Sequence, residues 1–266
     1  MQGASYDRIA SLTVMTDEIL WQLTKGKERK KVLSLSPLAR NLSYSCIANE
    51  ISDLKEIPSY SVEQIVAMKP NLVLAANFNR PSILKFLKES SIKYELFETS
   101  GSFSDLWKNI TKLGDILDQK SSSRKMIDKL KKRLQSFKTP KKKLNLISYS
   151  SELFFPGTES SFNYIVKAIK HRNITAGIKK DKSWVRLSSE ALITLPIDYI
   201  VVGLRPNTSK KEMITEISNN DKWKHLTAVK QKKFLFIPNA YLLSLSQCMV
   251  DATEMLNREI DEQQSR

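Results

Sequence analysis

The chain has 266 residues, 41% of them hydrophobic and 27% charged, a composition that excludes a disordered chain and allows two modest globular domains. No apolar run is long enough to cross a bilayer. Its 43 Lys and Arg against 28 Asp and Glu give a formal charge of +15, which favours anionic partners (nucleic acid, anionic lipid or a negatively charged small ligand) over cationic ones.

The opening MQGASYDRIASLTVMTDEILWQL does not read as a signal peptide, because Asp17 and Glu18 interrupt any apolar core. The expectation is a cytoplasmic protein or one whose export signal has been removed. RIASL (8–12) is a strand, TDEILWQL a helix opening on Thr16, and KVLSLS (31–36) a second strand. SVEQIVAMKPNLVLA (61–75) follows as a helix and a buried strand. Ser61 and Gln64 stand in capping-box spacing, Val62, Ile65 and Val66 share a helical face, and Lys69-Pro70-Asn71 stops the helix. Pro81 opens the helix PSILKFLKESS, and KYELFE (93–98) is a fourth strand. Strands separated by helices predict a parallel sheet with helices on its faces.

From Ser104 an apolar stripe (Leu106, Ile110, Leu113, Leu117) runs at helical spacing and resumes at Ile127, Leu130, Leu134 and Phe137. It predicts one long helix, or two collinear ones with a weak point at Ser121–Ser123, ending at Thr139-Pro140. The lysines of this segment form its wet face. Alternation then restarts with a strand LNLISYS (144–150), a helix SFNYIVKAIKH, a helix and strand in SSEALITLPIDYIVVG (188–203), a strand KKFLFIP (232–238) and a closing helix CMVDATEMLNREI. The predicted layout is an N-terminal α/β lobe over residues 1–103, a linking helix over 104–139 and a C-terminal α/β lobe over 140–266.

The helix–strand unit therefore occurs twice. One shift of 127 residues carries Glu63 to Glu190 and Asn71 to Asp198. A carboxylate in the first turn of a helix gains about 0.3 to 1 kcal/mol from the macrodipole, which explains each Glu singly and also suits Asp17 and Glu18. It does not explain the match. Two like lobes would each carry one carboxylate at an equivalent point, with a cleft between lobes as the natural ligand site.

Catalysis is not expected. His171 and His225 have no second ligand at metal-binding spacing and read as surface residues; no glycine falls into a nucleotide-binding turn, and GxSxG and CxxC are absent. No resident cofactor or metal is implied. Cys46 and Cys248 stand 202 positions apart and read as small buried apolar residues, their pairing undetermined.

Several stretches resemble the substrate-binding proteins of ABC importers for cobalamin, haem and ferric siderophores. RIASLTVMTDEIL is similar to that family's R-[IV]-[IV]-S-L-x-P-x-x-T-E opening, with Val14 at the proline position. VEQIVAMKPNLVLA matches E-x-[IL]-x-x-[LM]-K-P-D-L, with Asn71 for the Asp. WVRLSSEALITLPIDYIVV resembles W-x-x-[VL]-[SN]-x-E-x-[LV], and SELFFPGTESSFNYIVKA the segment before the second-lobe helix. The resemblance covers nearly all of residues 7 to 260. It implies two α/β lobes with parallel sheets joined by one long α-helix, a cleft between the lobes that holds a corrinoid or an iron chelate, and an extracytoplasmic monomer that meets a permease dimer. The family docks through one glutamate per lobe, at the positions of Glu63 and Glu190.

The resemblance also places Trp184 at a cleft tryptophan of cobalamin-binding relatives. Other candidates sit at predicted strand ends: Ser36 with Pro37, then Asn77, Phe78 and Arg80 in the first lobe. In the second they are Tyr149, Phe155, Asn239 and Tyr241. For each aromatic, lobe packing is an equal alternative. Trp107 reads as structural, and Trp21 and Trp223 as helix packing. Two other classes compete. A basic nucleic-acid-binding protein would concentrate its cations with interleaved aromatics, whereas these lysines spread from Lys25 to Lys233, so no nucleic acid partner is expected. A cytoplasmic relative that meets no permease is the other.

Overall fold

Apolar runs such as Leu72–Ala76 and Tyr199–Val202 are too short for helices and too continuous for half-exposed strands, and both become central strands of parallel sheets. The computed structural model of the chain describes residues 6–51, 54–56, 61–178 and 183–265. The chain forms two units. The first comprises residues up to Thr99, Phe103–Lys131 and the short segment Ser244–Gln247; the second comprises Ser100–Ser102, Lys132–Leu243 and the chain from Cys248 onward.

In the first unit, β1 (Ile9–Ser11), α1 (Val14–Leu23), β2 (Val32–Leu35), β3 (Lys55–Glu56), α2 (Val62–Ala67), β4 (Leu72–Ala76), α3 (Pro81–Glu89) and β5 (Tyr94–Phe97) alternate. They build a parallel sheet of order β3-β2-β1-β4-β5. Ile65 of α2 and Ile83 and Leu87 of α3 pack with Ala10, Leu12, Val73 and Ala75 in one core. Helix α1 starts earlier than the Thr16 expected from sequence. Thr13 is its cap, its side chain accepting from the Thr16 amide, so the first turn begins at Val14.

The linking segment is two helices, α4 (Phe103–Ile116) and α5 (Lys120–Gln135), broken at 117–119 rather than at the serines. Asp118 takes a left-handed φ of 55° and the Gln119 amide donates to the Gly114 carbonyl at 2.7 Å. The helices are not collinear. A side chain on Gly114 would collide with that of Ser123, nine residues on, whereas a continuous helix would hold those positions about 13 Å apart.

The second unit runs β6 (Asn145–Ser148), β7 (Phe154–Pro156), α6 (Ser161–Ala168), β8 (Arg172–Asn173), β9 (Trp184–Arg186), α7 (Ser189–Ile193), β10 (Tyr199–Leu204), α8 (Lys210–Asn219), α9 (Thr227–Lys230), β11 (Phe234–Pro238), α10 (Asn239–Leu242) and α11 (Cys248–Gln264). Its parallel sheet has the order β11-β10-β6-β8, and β7 and β9 form a separate antiparallel ribbon. One core joins α6 and α11 to the sheet; another, around the fully buried Trp223, joins α8 and α9. Arg133 closes the α5–α11 contact by donating to Asp251 and Glu254 at 2.6 to 2.7 Å.

The sequence repeat is a repeat of hydrogen bonds. Ile9, Ala10 and Ser11 register with Leu72, Val73 and Leu74, and Leu146, Ile147 and Ser148 register with Tyr199, Ile200 and Val201 in the same way. Asn71 Oδ1 accepts from the Arg8 amide at 3.0 Å, and Asp198 Oδ2 from the Asn145 amide at 2.7 Å. Each of these residues also donates its own amide back, to the carbonyls of Arg8 and Asn145. The position thus requires a side-chain acceptor that ties the end of the helix–strand turn to the start of the neighbouring strand. Asn and Asp both supply one.

Two expectations need correction. His171 is buried at 7% exposure, with Nδ1 accepting from the Leu144 amide and burial holding its pKa below the usual value; an unpartnered surface reading missed that backbone donor. His225 is exposed. The two cysteines are disulfide-bonded, which in a chain with only two joins Cys46 to Cys248.

Candidate functional site

Parallel sheets gather loops at the carboxyl ends of their strands, where side chains are freed from packing. In the first unit these loops expose Tyr44 after β2 and Asn77, Phe78 and Arg80 after β4. The β4 turn is braced from within: the Ala76 amide donates to Asn79 Oδ1 at 2.8 Å and the Asn77 amide to the Phe97 carbonyl at 3.0 Å. Phe78 is 55% exposed, and Arg80, two residues on, has no ion-pair partner among the described residues. Ser36 is elsewhere. It is fully buried, its amide and hydroxyl donating to Asp17, so it supports the first unit and offers nothing to a ligand.

In the second unit the ribbon carries the most exposed aromatic surface. Alternation along β7 and β9 buries Phe155 and Val185 and turns Phe154, Trp184 and Arg186 outward. The rings of Phe154 and Trp184 stack at 5.4 Å and 5° between planes while both stay 47% exposed. Two large flat rings held parallel yet left in water form a platform, not a core. Arg186, paired with Phe154 across the ribbon, is exposed and has no ion-pair partner among the described residues. Phe155 is therefore a correction. Its ring is fully buried against Trp223, and its neighbour Phe154 is the exposed one. Two consecutive phenylalanines in a strand must point to opposite faces, a signal that FFP already contains.

Tyr149 and Tyr241 are half-buried. Tyr149 meets Trp223 edge-on at 5.0 Å and its phenol is raised by burial; Tyr241 packs on the α6–α11 core. Asn239 opens α10 next to Gly203, where any side chain would strike it. Trp107 stacks on Phe103 within α4, and Trp21 packs under Arg29 and donates to Glu50, both supporting helices. Cavities of about 590 and 580 Å³ lie beside α11 and along α4, and none of the candidate residues lines them.

The repeated glutamates are both exposed. Ser61 and Ser188 cap α2 and α7 by accepting the Gln64 and Ala191 amides, which leaves Glu63 and Glu190 in the first turn facing solvent. Neither has an ion-pair partner among the described residues. The Ser188 hydroxyl holds the Glu190 carboxyl below its usual pKa, so it is charged at neutral pH. Asp17 and Glu18 are the opposite case, fully buried rather than facing solvent at a helix end. Asp17 is pushed up to about 7 by burial, against the Ser11 and Ser36 hydroxyls that favour its charged form. Glu18 accepts from the Cys46 amide at 2.8 Å and from the Ser244 and Ser246 hydroxyls. It thereby fastens the Ser244–Gln247 segment into the first unit.

Two α/β units, each with a parallel sheet and the same helix–strand turn, have the architecture of a two-lobed binding protein. The chain belongs to the periplasmic binding protein family, whose model matches residues 9–241. This bears out the resemblance to substrate-binding proteins of ABC importers. Among curated relatives, it is 20% identical over 266 residues to the uncharacterised ABC transporter substrate-binding lipoprotein YvrC of Bacillus subtilis, covering 90% of this chain and 82% of the relative. It is 27% identical over 212 residues to the high-affinity haem uptake system protein IsdE of Staphylococcus aureus, covering 74% of this chain and 71% of IsdE. Among solved structures, the periplasmic haem-binding protein HutB of Vibrio cholerae superposes with a TM-score of 0.78 at 15% identity, over 96% of this chain and 99% of HutB. Among the described residues no helix is long and apolar enough to cross a membrane.

Proposed function

We propose that the chain delivers a metal chelate of the haem, corrinoid or ferric siderophore class to an ABC importer outside the cytoplasm, docking onto the permease pair through Glu63 and Glu190. The Phe154–Trp184 stack carries the reading of the ligand. A flat conjugated macrocycle can lie on the outer face of this stacked pair, and Arg186 on the same ribbon, with no ion-pair partner among the described residues, suits a carboxylate at its edge, which haem has and which corrinoid amides replace. Asn77, Phe78 and Arg80 in the first unit and Tyr149 and Tyr241 in the second are ligand contacts in this reading on the resemblance alone. The disulfide supports an extracytoplasmic setting, since such bonds persist in oxidising compartments. The haem uptake named for IsdE and the haem binding named for HutB favour the same class.

The test is a titration of the purified chain with hemin, cyanocobalamin and a ferric hydroxamate, followed by visible absorption and tryptophan fluorescence. One class is expected to bind at micromolar concentration or tighter. Trp184→Ala with Phe154→Ala should weaken it by about 1.4 to 2.8 kcal/mol, roughly tenfold to a hundredfold. Binding that is unchanged in the double variant removes the platform from the site.

A further inference from the structure

The two docking helices share more than a glutamate. Position by position, their burial repeats: Glu63 and Glu190 are exposed, Ile65 and Leu192 are buried, and Val66 and Ile193 are exposed again. Val66 is 47% and Ile193 54% exposed, among the most exposed large apolar residues of the chain, and the same 127-residue shift relates them. Three residues along a helix is a rotation of about 300°, so each aliphatic lies one turn beyond its glutamate on the same side. Ala67 and Thr194, the next residues, are exposed too and small enough to leave that side open.

A single exposed aliphatic is ordinary. Two at equivalent places, each beside a carboxylate with no ion-pair partner among the described residues, in units whose strand pairing repeats, are a pattern that packing within either unit does not require. Ile65 and Leu192 already supply the buried face of each helix. Exposed ion pairs alone contribute little and are screened by salt, whereas apolar area removed from water adds affinity that salt leaves intact.

We infer that Val66 and Ile193 are the apolar halves of the two docking points, each inserting into a hydrophobic socket beside the cation that receives Glu63 or Glu190. This rests on the docking role proposed above for the glutamates. The partner surface is then a permease pair, each subunit presenting a guanidinium or ammonium next to an apolar depression to one unit of this chain.

The experiment measures docking of the full-length, disulfide-intact chain to its permease–ATPase complex in nanodiscs, across 50 to 500 mM salt. Three proteins are compared: wild type, Glu63→Gln with Glu190→Gln, and Val66→Ser with Ile193→Ser. Melting curves show that each is folded; both apolar positions are exposed, so the serine pair should melt like wild type. The serine pair is expected to dock about tenfold more weakly or worse with an unchanged salt slope. The glutamine pair should lose most of the salt slope. If the glutamine pair fails to dock while the serine pair docks like wild type, the apolar sockets are refuted and the glutamate reading stands. If the glutamine pair docks like wild type, the glutamate reading itself fails.

Discussion

Asp17→Asn isolates one buried charge. In the folded chain the Asp17 carboxyl titrates near 7, against an ordinary value of 3.8, because burial outweighs the hydroxyls of Ser11 and Ser36 and the amide of Ser36. Below about pH 3.8 the folded and unfolded states both hold the proton. Between there and about 7 only the folded state does, so unfolding releases a proton and stability falls as pH rises. At about 1.4 kcal/mol per pH unit, the fall reaches about 4 kcal/mol and levels off above 7. The asparagine variant has no such titration. It also loses one acceptor toward Ser36, but that penalty is independent of pH. Urea unfolding of the two proteins at pH 4, 5.5, 7 and 8 gives the comparison. The wild type should lose ground to the Asp17→Asn variant steadily from pH 4 to 7, by up to about 4 kcal/mol, with no further change to pH 8. Curves that stay parallel over that range would show that Asp17 ionises normally and that its burial does not govern this part of the fold.

Asp198→Asn should cost less than about 1 kcal/mol, because Asn71 already does the same task in the other unit, whereas Asp198→Ala orphans the Asn145 amide and should cost about 1 to 3 kcal/mol; thermal unfolding of both variants checks the difference. Reducing the disulfide frees a loop spanning 202 positions, and chain entropy predicts a loss of roughly 5 kcal/mol. Denaturant midpoints with and without a reductant measure it, and equal midpoints would contradict the pairing of Cys46 with Cys248.

The sheets were legible because their strands announce themselves twice. Leu72–Ala76 and Tyr199–Val202 are apolar without interruption, and Lys69-Pro70 and Leu195-Pro196 place the turns before them. The exposed glutamates followed from the repeat and, in the first unit, from Ser61 at capping distance. What the sequence hid was settled by partners far along the chain. The break at 117–119 depends on Gly114 admitting Ser123, and apolar spacing alone carries no mark of such an approach. Asp17 and Glu18 read as helix-start carboxylates and Ser36 as a strand-end ligand contact, yet Asp17 accepts from Ser36 and Glu18 from Ser244, all buried in the first unit. Trp184 was found by resemblance, while its stacking partner Phe154 required knowing that β7 and β9 pair; the residues between them in sequence give no turn of hairpin length. His171 and the two cysteines were misread for the same reason, since a backbone donor or a second sulfur is invisible from local spacing.

The central claim is that cargo is handed to a transporter through one carboxylate on each unit, and uptake separates that role from ligand binding. A strain lacking the native gene is complemented with wild type or with Glu63→Ala plus Glu190→Ala, and uptake of the bound chelate is followed alongside its affinity for the purified proteins. Abolished uptake with unchanged affinity is the predicted result. Uptake at the wild-type rate in the double variant would contradict the claim.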